Sequence, residues 1–358
     1  MKRKNLTVKR KVKKIIKIKD VQIKKIYKKF TNTVHSKIQT KEFALAVSGG
    51  SDSLCLAYLS KMYSSEFKNK IHTLIVDHGL RKESKKEALQ VKKILSNNEI
   101  KSKILSWKKN IPKRNIQHNA RNIRYSLIAK YCQKKNIKFL ITAHHMDDQI
   151  ENFFIRLFRG SGLTGLSSMN ETADFNKELK IIRPFLNFKK KDLQYVTLKY
   201  FKTYIEDPSN NDNKYLRIRI RKYRSKMQKE GLNSDKVIKT INNLLSADKA
   251  LKFYKNKALY KHVSFLSKNR CLINKKIFSE EAGEIIFKSF SDILSLISGT
   301  YYPPRSKKIV SLINRIKKNH FPKSTLGGCV IEKKENFIIV VKETKIKKTN
   351  YQPQKLRF

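Results

Sequence analysis

Ala44-Leu45-Ala46-Val47-Ser48-Gly49-Gly50-Ser51-Asp52-Ser53 passes from a short apolar run into a serine/glycine turn and then into residues that open helices. Ala44 to Val47 suits an inner strand of a parallel sheet, buried on both faces. Leu54, Ala57, Tyr58 and Met62 then recur at helical spacing, which predicts a helix leaving the turn with one apolar stripe. Gly49 and Gly50 permit backbone angles that a side chain resists, so successive amides can converge on one anion at the positive end of the helix dipole. Strand, turn and helix together make a cradle for the pyrophosphate end of a nucleotide. The Asp52 carboxylate cannot bind phosphate directly and needs a bridging cation, for which magnesium is the best match. The string lacks the Gly-Lys-Ser/Thr ending of a P-loop, so kinase-like phosphoryl transfer is not the expected chemistry.

Outward from this loop, strand and helix alternate. Ile71 to Val76 reads as a second strand ending at Asp77-His78-Gly79-Leu80-Arg81, and Ser84 to Leu95 as a helix with Ser84 and Glu87 placed as a capping box. Ile104 to Trp107 is a third strand, Ala120 to Cys132 a helix, and Phe139 to Thr142 a fourth strand running into Ala143-His144-His145-Met146-Asp147-Asp148-Gln149-Ile150-Glu151. This alternation predicts an α/β fold, a parallel sheet covered by helices on both faces. Ligands on such sheets collect beyond the carboxyl ends of the strands, where all three suspect loops lie. From about Lys189 charged helical stretches take over through Lys226 to Lys257, with Gly231 a break. From Tyr301, Pro303-Pro304, Gly327-Gly328-Cys329 and a strand-like Phe337 to Val341 indicate a small α+β unit. The expected division is 1–40 basic extension, 41–225 catalytic domain, 226–300 helical linker contacting RNA, 301–345 small C-terminal domain and 346–358 polar tail.

The chain has 358 residues and 82 Lys plus Arg against 28 Asp plus Glu, a net charge of +54. Part of that excess is lysine-rich composition bias, and the rest marks a polyanion, most naturally nucleic acid, as partner. Cys55, Cys132, Cys271 and Cys329 are scattered without a Cys-x-x-Cys pair, against a zinc ribbon, an iron–sulfur site or a disulfide framework. No apolar run approaches a membrane span and no signal-peptide core appears. A cytoplasmic protein is expected, with a mitochondrial or plastid interior as the alternative. The lysine-rich residues 1 to 30 are read as an arm touching RNA or, alternatively, as a transit segment.

On the helix starting near Asp147, Ile150, Phe153, Phe154, Leu157 and Phe158 form a broad apolar stripe, with Asp148 and Glu151 three apart outside it and able to face one ligand. Such a pair can bind an amine, hold magnesium or take a proton from an attacking nitrogen. Arg121 and Arg124, also three apart on a helix, suit phosphate through their planar guanidinium groups.

The Ser48–Ser53 string resembles the pyrophosphatase loop of the N-type (PP-loop) ATP pyrophosphatases, a Rossmann-like family. Together with Asp77-His78-Gly79-Leu80-Arg81, Ala120-Arg121-Asn122-Ile123-Arg124-Tyr125, Ala143 to Glu151, Arg159-Gly160-Ser161-Gly162-Leu163, Arg183-Pro184-Phe185 and Asp207-Pro208-Ser209-Asn210, it is similar to tRNA(Ile)-lysidine synthetase. The match is strong over about residues 40 to 225 and weaker at Tyr302-Pro303-Pro304-Arg305 and Thr325 to Cys329. The resemblance implies ATP-dependent adenylation of the C2 oxygen of the wobble cytidine in a CAU-anticodon isoleucine tRNA, then attack by the amine of free L-lysine. It implies that Ser48, Gly49, Gly50, Ser51, Asp52, Ser53, His78 and Arg121 bind ATP and that Asp52 and Asp148 hold Mg2+. It further implies that Asp148 and Glu151 receive the lysine amine or the metal, and that His144 and Arg124 steady the transition-state charge. A homodimer is a possible assembly. Two departures stand out: isoleucine at Ile218, where the family usually has asparagine in an Arg-Asn-x-Ile-Arg string, and Asn152 where threonine is common. The chain's end is shorter than that of the longest members, so acceptor-stem contacts are expected to be reduced. Another PP-loop tRNA enzyme of the sulfur-inserting kind, or a non-catalytic RNA-binding protein, are the alternatives.

Overall fold

The computed structural model describes residues 18–38, 40–79, 83–107, 116–167, 169–176, 178–206, 214, 216–300, 302–318, 321 and 323–343. Expectations resting on Leu80, Arg81, Asp207 to Asn210, the arm before residue 18 and the tail after residue 343 lie outside them. The chain divides into two units, Met1–Leu244 and Leu245–Phe358.

In the first unit the elements follow one another as α1 (Val21–Lys37), β1 (Glu42–Ala46), α2 (Ser51–Phe67), β2 (Lys70–Asp77), α3 (Ser84–Asn97), β3 (Ser102–Ser106), α4 (Ile116–Lys134) and β4 (Phe139–Ile141). There follow α5 (Met146–Leu157), α6 (Leu163–Leu166), β5 (Thr172–Asp174), β6 (Lys180–Ile182), α7 (Lys190–Phe201), α8 (Leu216–Lys229) and α9 (Ser234–His262), the last running on into the second unit. The sheet has the order β3-β2-β1-β4-β6-β5. Every pairing is parallel except the edge strand β5 on β6. The expected parallel sheet with helices on both faces is therefore present. Phe43, Ala44 and Leu45 are wholly buried because β1 is central and covered twice. Phe43 and Leu45 join α1, α2 and α7 in one core, and Ala44 joins Leu74, Ile128 and Leu140 on the opposite face.

Three local expectations change. Helix α2 is buried nearly all round rather than along one stripe, since α1 and α7 pack over it with Phe30, Leu193 and Val196. Residues 21–37 are not a free arm: α1 is capped by Asp20 Oδ1, which accepts the Ile23 amide at 3.0 Å, and buries Ile23, Ile26, Phe30 and Val34. The capping box proposed for α3 does not form, because Ser84 Oγ donates instead to Asp77 Oδ1 at 2.7 Å.

The second unit contains β7 (Val263–Ser267), β8 (Arg270–Asn274), α10 (Ile277–Glu280), α11 (Gly283–Ser298), α12 (Ser306–Lys317), β9 (Ser324–Leu326), β10 (Cys329–Lys334) and β11 (Phe337–Lys342). Its strands form an antiparallel sheet of order β7-β8-β11-β10-β9. Helices α11 and α12 bury Ile286, Phe290, Ile293, Ile309 and Leu312 against Ile331, Ile338 and Val340. The small α+β unit thus begins well before residue 301, because Ile273 of β8 pairs with Ile338 of β11 and draws the preceding hairpin into the sheet. Gly327 and Gly328 turn β9 into β10 with φ of +62° and +78°, the left-handed pair that a two-residue hairpin turn demands.

Candidate active site

Strand order reverses between β1 and β4, and the crevice beyond their carboxyl ends is where a doubly wound sheet seats its ligand. A cavity of about 390 Å³ opens there, lined by Ser48, Gly50, Asp52 and Ser53 after β1, His78 after β2, and His144 and Asp148 after β4. Arg121, Arg124 and Tyr125 of α4 and Arg217 of α8 complete its polar wall. Of the candidate site residues, Ser48, Gly50, Asp52, Ser53, His78, Arg121, Arg124, His144 and Asp148 line this cavity, whereas Gly49, Ser51 and Glu151 do not.

The loop is built differently from a simple row of free amides. Ser53 Oγ accepts the amides of Gly49 at 3.0 Å and Ser48 at 3.2 Å and donates to the Gly50 carbonyl at 2.9 Å, which ties the turn into one conformation. Gly49 sits at φ +93°, where a Cβ would meet Val91 Cγ2 at 2.4 Å and Ile205 Cδ1 at 3.3 Å. Gly50 caps α2 without a side-chain hydrogen bond. The first-turn amides of Ser51, Asp52 and Ser53 are thus left by helix geometry as the anion-binding donors. From behind, Thr197 Oγ1 of α7 donates to the Ser51 carbonyl at 2.6 Å.

At the second edge, His145 caps α5: its Nδ1 accepts the Asp147 amide at 3.2 Å, and Asp148 Oδ2 accepts the His145 amide at 3.1 Å. His145 Nε2 faces carboxylate oxygens of both Asp52 and Asp148 at 3.5 Å. Burial pushes His145 down, but hydrogen bonding to Asp52 and the charges of Asp148, Asp52 and Asp147 outweigh it and leave the imidazole raised. His144 behaves in the opposite way. Burial, reinforced by Arg183, Arg121 and Arg217, takes it down to about 4, and its Nδ1 shares a 2.9 Å hydrogen bond with Thr142 Oγ1. The histidine that lines the cavity is therefore neutral near pH 7, and its neighbour is the one drawn toward the charged form. Burial also pushes Asp148 upward, yet His145, His144, Arg217 and the His145 amide hold it below the usual carboxylate range.

Asp148 and Glu151 line different cavities. Glu151 is buried and bound by Arg221 Nε at 2.5 Å and Arg217 Nε at 3.1 Å, both from α8. Burial raises the Glu151 carboxyl above its ordinary value, and the Asp148 charge adds to this, while Arg221 and Arg217 pull the other way without reversing it. It opens onto a second cleft of about 210 Å³, with His145, Asp147, Lys190, Arg221, Arg224 and Gln228. Arg217 touches both places, lining the nucleotide cavity while bonding Glu151. Ile218, the departure in the arginine string, is buried beside Arg217 and Arg221 on α8. Around Arg121, the guanidinium lies 5.0 Å over the Tyr125 ring, which itself stacks on Phe175.

Sequence reasoning missed His145, Arg217 and the bracing role of Ser53. Adjacent residues leaving an extended strand point to opposite sides, so a His-His doublet after β4 carried the signal that only one of the two faces the cavity.

The fold and this loop define a PP-loop nucleotide-binding protein: residues 18–226 match the PP-loop domain family. Relatives named tRNA(Ile)-lysidine synthase from Orientia tsutsugamushi and Wolbachia pipientis are each 35% identical, over 85% and 88% of this chain and 70% and 74% of theirs. Another from Rickettsia felis is 31% identical over 89% of this chain and 74% of its own. The chain belongs to the tRNA(Ile)-lysidine synthase family. A solved U34-tRNA thiolase from Methanococcus maripaludis shares the fold, with a TM-score of 0.53 at 19% identity over 63% of this chain and 79% of that one. Among the described residues no helix is long and apolar enough to cross a membrane.

Proposed function

We propose that this chain is a ligase that forms a carbon–nitrogen bond on tRNA in two steps. In the first, the C2 oxygen of the wobble cytidine in a CAU-anticodon isoleucine tRNA attacks the α-phosphorus of ATP, AMP is transferred to that oxygen and pyrophosphate leaves. In the second, the neutral amine of free L-lysine attacks C2, loses a proton and displaces AMP, leaving lysidine and changing the codon read from AUG to AUA.

The observation that carries this reading is that two cavities meet at one turn, the start of α5. The nucleotide side is cationic and rich in donors: the amides of Ser51, Asp52 and Ser53 take the pyrophosphate end, and Arg121, Arg124 and Arg217 balance charge on the phosphates as it shifts in the transition state. His78 and neutral His144 act as hydrogen-bonding groups on the same wall. The other side pairs carboxylates with cations, Asp147 and Glu151 with Lys190 and Arg224, as a zwitterion with a second amine requires. Asp148 stands between, where it can take the proton that the attacking amine sheds.

Asp52 and Asp148 are hard oxygen donors close to a common imidazole, and this donor set fits magnesium, which binds through one or two carboxylates and completes its shell with water and substrate phosphates. Among the described residues no three His, Cys, Asp or Glu side chains cluster as a metal cage, in keeping with an ion shared with the nucleotide. Magnesium would neutralise phosphate oxygens there. The four buried, dispersed cysteines suit an amine donor better than sulfur transfer. In this reading the protein works in the cytoplasm with tRNA, ATP and lysine as partners.

The test is incubation of the purified chain with ATP, radiolabelled lysine and CAU-anticodon isoleucine tRNA. Label should enter the RNA only with ATP, and Asp52→Ala should abolish it. Equal labelling by both proteins, or none by either, ends the proposal, as does calorimetry that finds no ATP uptake with magnesium supplied.

A further inference from the structure

Helix α9 leaves large aromatic side chains in water on its C-terminal half. Phe253 is 64% exposed and Tyr260 93% exposed, values that folding alone gives no reason to keep on a helix of a chain this polar. At 3.6 residues per turn, Lys249, Phe253, Asn256 and Tyr260 fall on one face, with Lys252 and Lys257 along its two borders. The opposite face does the packing: Asp248, Ala258 and His262 are buried there, and Lys255 is tied to Asp292. Among the described residues Lys249 and Lys257 form no ion pair, whereas Lys252 is held by Asp248 at 2.7 Å.

We infer that this face is a stacking platform for unpaired nucleotides of the RNA substrate, with Phe253 and Tyr260 each taking a base face and Lys249 and Lys257 taking backbone phosphates. It rests on the proposed RNA substrate and adds where the chain grips it. The two rings are seven residues apart, about 10 Å along the helix, a span that fits bases splayed from a loop but not the closed edge of a duplex. Base–aromatic stacking needs no particular base, and flanking cations steer the strand to the rings. A second copy of the chain is a poor occupant: each copy brings the same lysines and a net charge of +54.

The experiment measures affinity of the full chain for CAU-anticodon isoleucine tRNA by anisotropy across a salt series, with Phe253→Ala/Tyr260→Ala and Lys249→Ala/Lys257→Ala variants whose fold is checked by circular dichroism. The aromatic variant should bind about 10-fold to 100-fold more weakly with an unchanged salt slope. The lysine variant should lower the slope of log K against log salt by about 1.5. A fully paired RNA duplex should not sense the loss of the rings. ATP binding should be unaffected in both. If the aromatic variant binds tRNA like the parent while lysine incorporation proceeds, this inference falls and the proposed function stands. If the parent fails to bind tRNA at all, both fall. A parental dimer that the aromatic variant dissolves, without change in RNA affinity, assigns the face to a second copy and overturns the platform.

Discussion

His145 stands with its Nε2 3.5 Å from a carboxylate oxygen of Asp52, linking the loop after β1 to the turn after β4. The two residues belong to motifs nearly a hundred positions apart, and the contact fixes how far apart the phosphate cradle and the α5 turn can be. Asp52→Asn keeps the shape but removes the charge that would share a magnesium ion and hold the imidazole. Adenylation, followed as pyrophosphate release, should fall by about 100-fold or more, the cost of losing one preorganised charge contact in a transition state. Retained pyrophosphate release would remove Asp52 from the reaction.

The same pair sets a pH dependence. His145 has a folded pKa above its ordinary value of 6.5, so its ionic contribution is fully present below that value and is lost as pH rises through the folded pKa. Protonation sacrifices the 3.2 Å cap bond that Nδ1 accepts from the Asp147 amide, but charge-assisted bonds to two carboxylates are about twice as strong as a neutral one. The melting-temperature advantage of the parent over His145→Asn should therefore be larger at pH 6 than at pH 9. A gap that stays constant or widens with pH would show that the cap, and not the charge, is what His145 supplies.

Gly49 is the position in the loop where a methyl group cannot be absorbed. Val91, which its Cβ would strike, is 1% exposed and packed in the core, and the φ of +93° is itself costly for any L side chain. Gly49→Ala should destabilise the first unit by about 1–3 kcal/mol. ATP affinity should drop with it, since the turn must swing away from Val91 and take the Ser53 brace along. Wild-type ATP binding in a protein destabilised as expected would mean that the loop's shape is not what nucleotide binding depends on.

Much of this was legible in the chain. The Ala44 to Val47 run announced a central strand because a strand covered on both faces must be apolar at every position, and Gly49 announced a turn that only glycine enters without strain. The partnership of Glu151 was not legible. Its spacing from Asp148 suggested a shared ligand, but Arg221, 70 residues further along, claims the carboxylate when α8 packs on α5. Which member of the His144-His145 doublet gains carboxylate neighbours was not legible either: both are buried, but His145 Nε2 is the one that comes within reach of Asp52 and Asp148, while His144 meets Arg183 and Arg121. The extent of the second unit escaped for a similar reason: β8 is a strand because β11 offers it an edge, and β7 because β8 then offers the next.

The proposed reaction assigns one half-reaction to each of the two cavities. Glu151 lies outside the nucleotide cavity and is paired with Arg217 and Arg221, so in the proposed reaction the lysine amine competes with guanidinium groups already bound there. Glu151→Gln keeps the size but turns one acceptor oxygen into an NH2 donor and removes the charge that makes an ammonium group welcome. Lysine KM should rise by about 10-fold to 100-fold, the value of one charge-assisted contact, while tRNA-dependent pyrophosphate release stays within a few fold. Asp148→Asn should behave differently, slowing pyrophosphate release and lysine incorporation together, because Asp148 faces the nucleotide cavity and also holds the His145 amide. Measuring both half-reactions in both variants decides the matter. If Glu151→Gln slows adenylation as much as Asp148→Asn does, the second cleft is part of the nucleotide site, and lysine must be bound elsewhere.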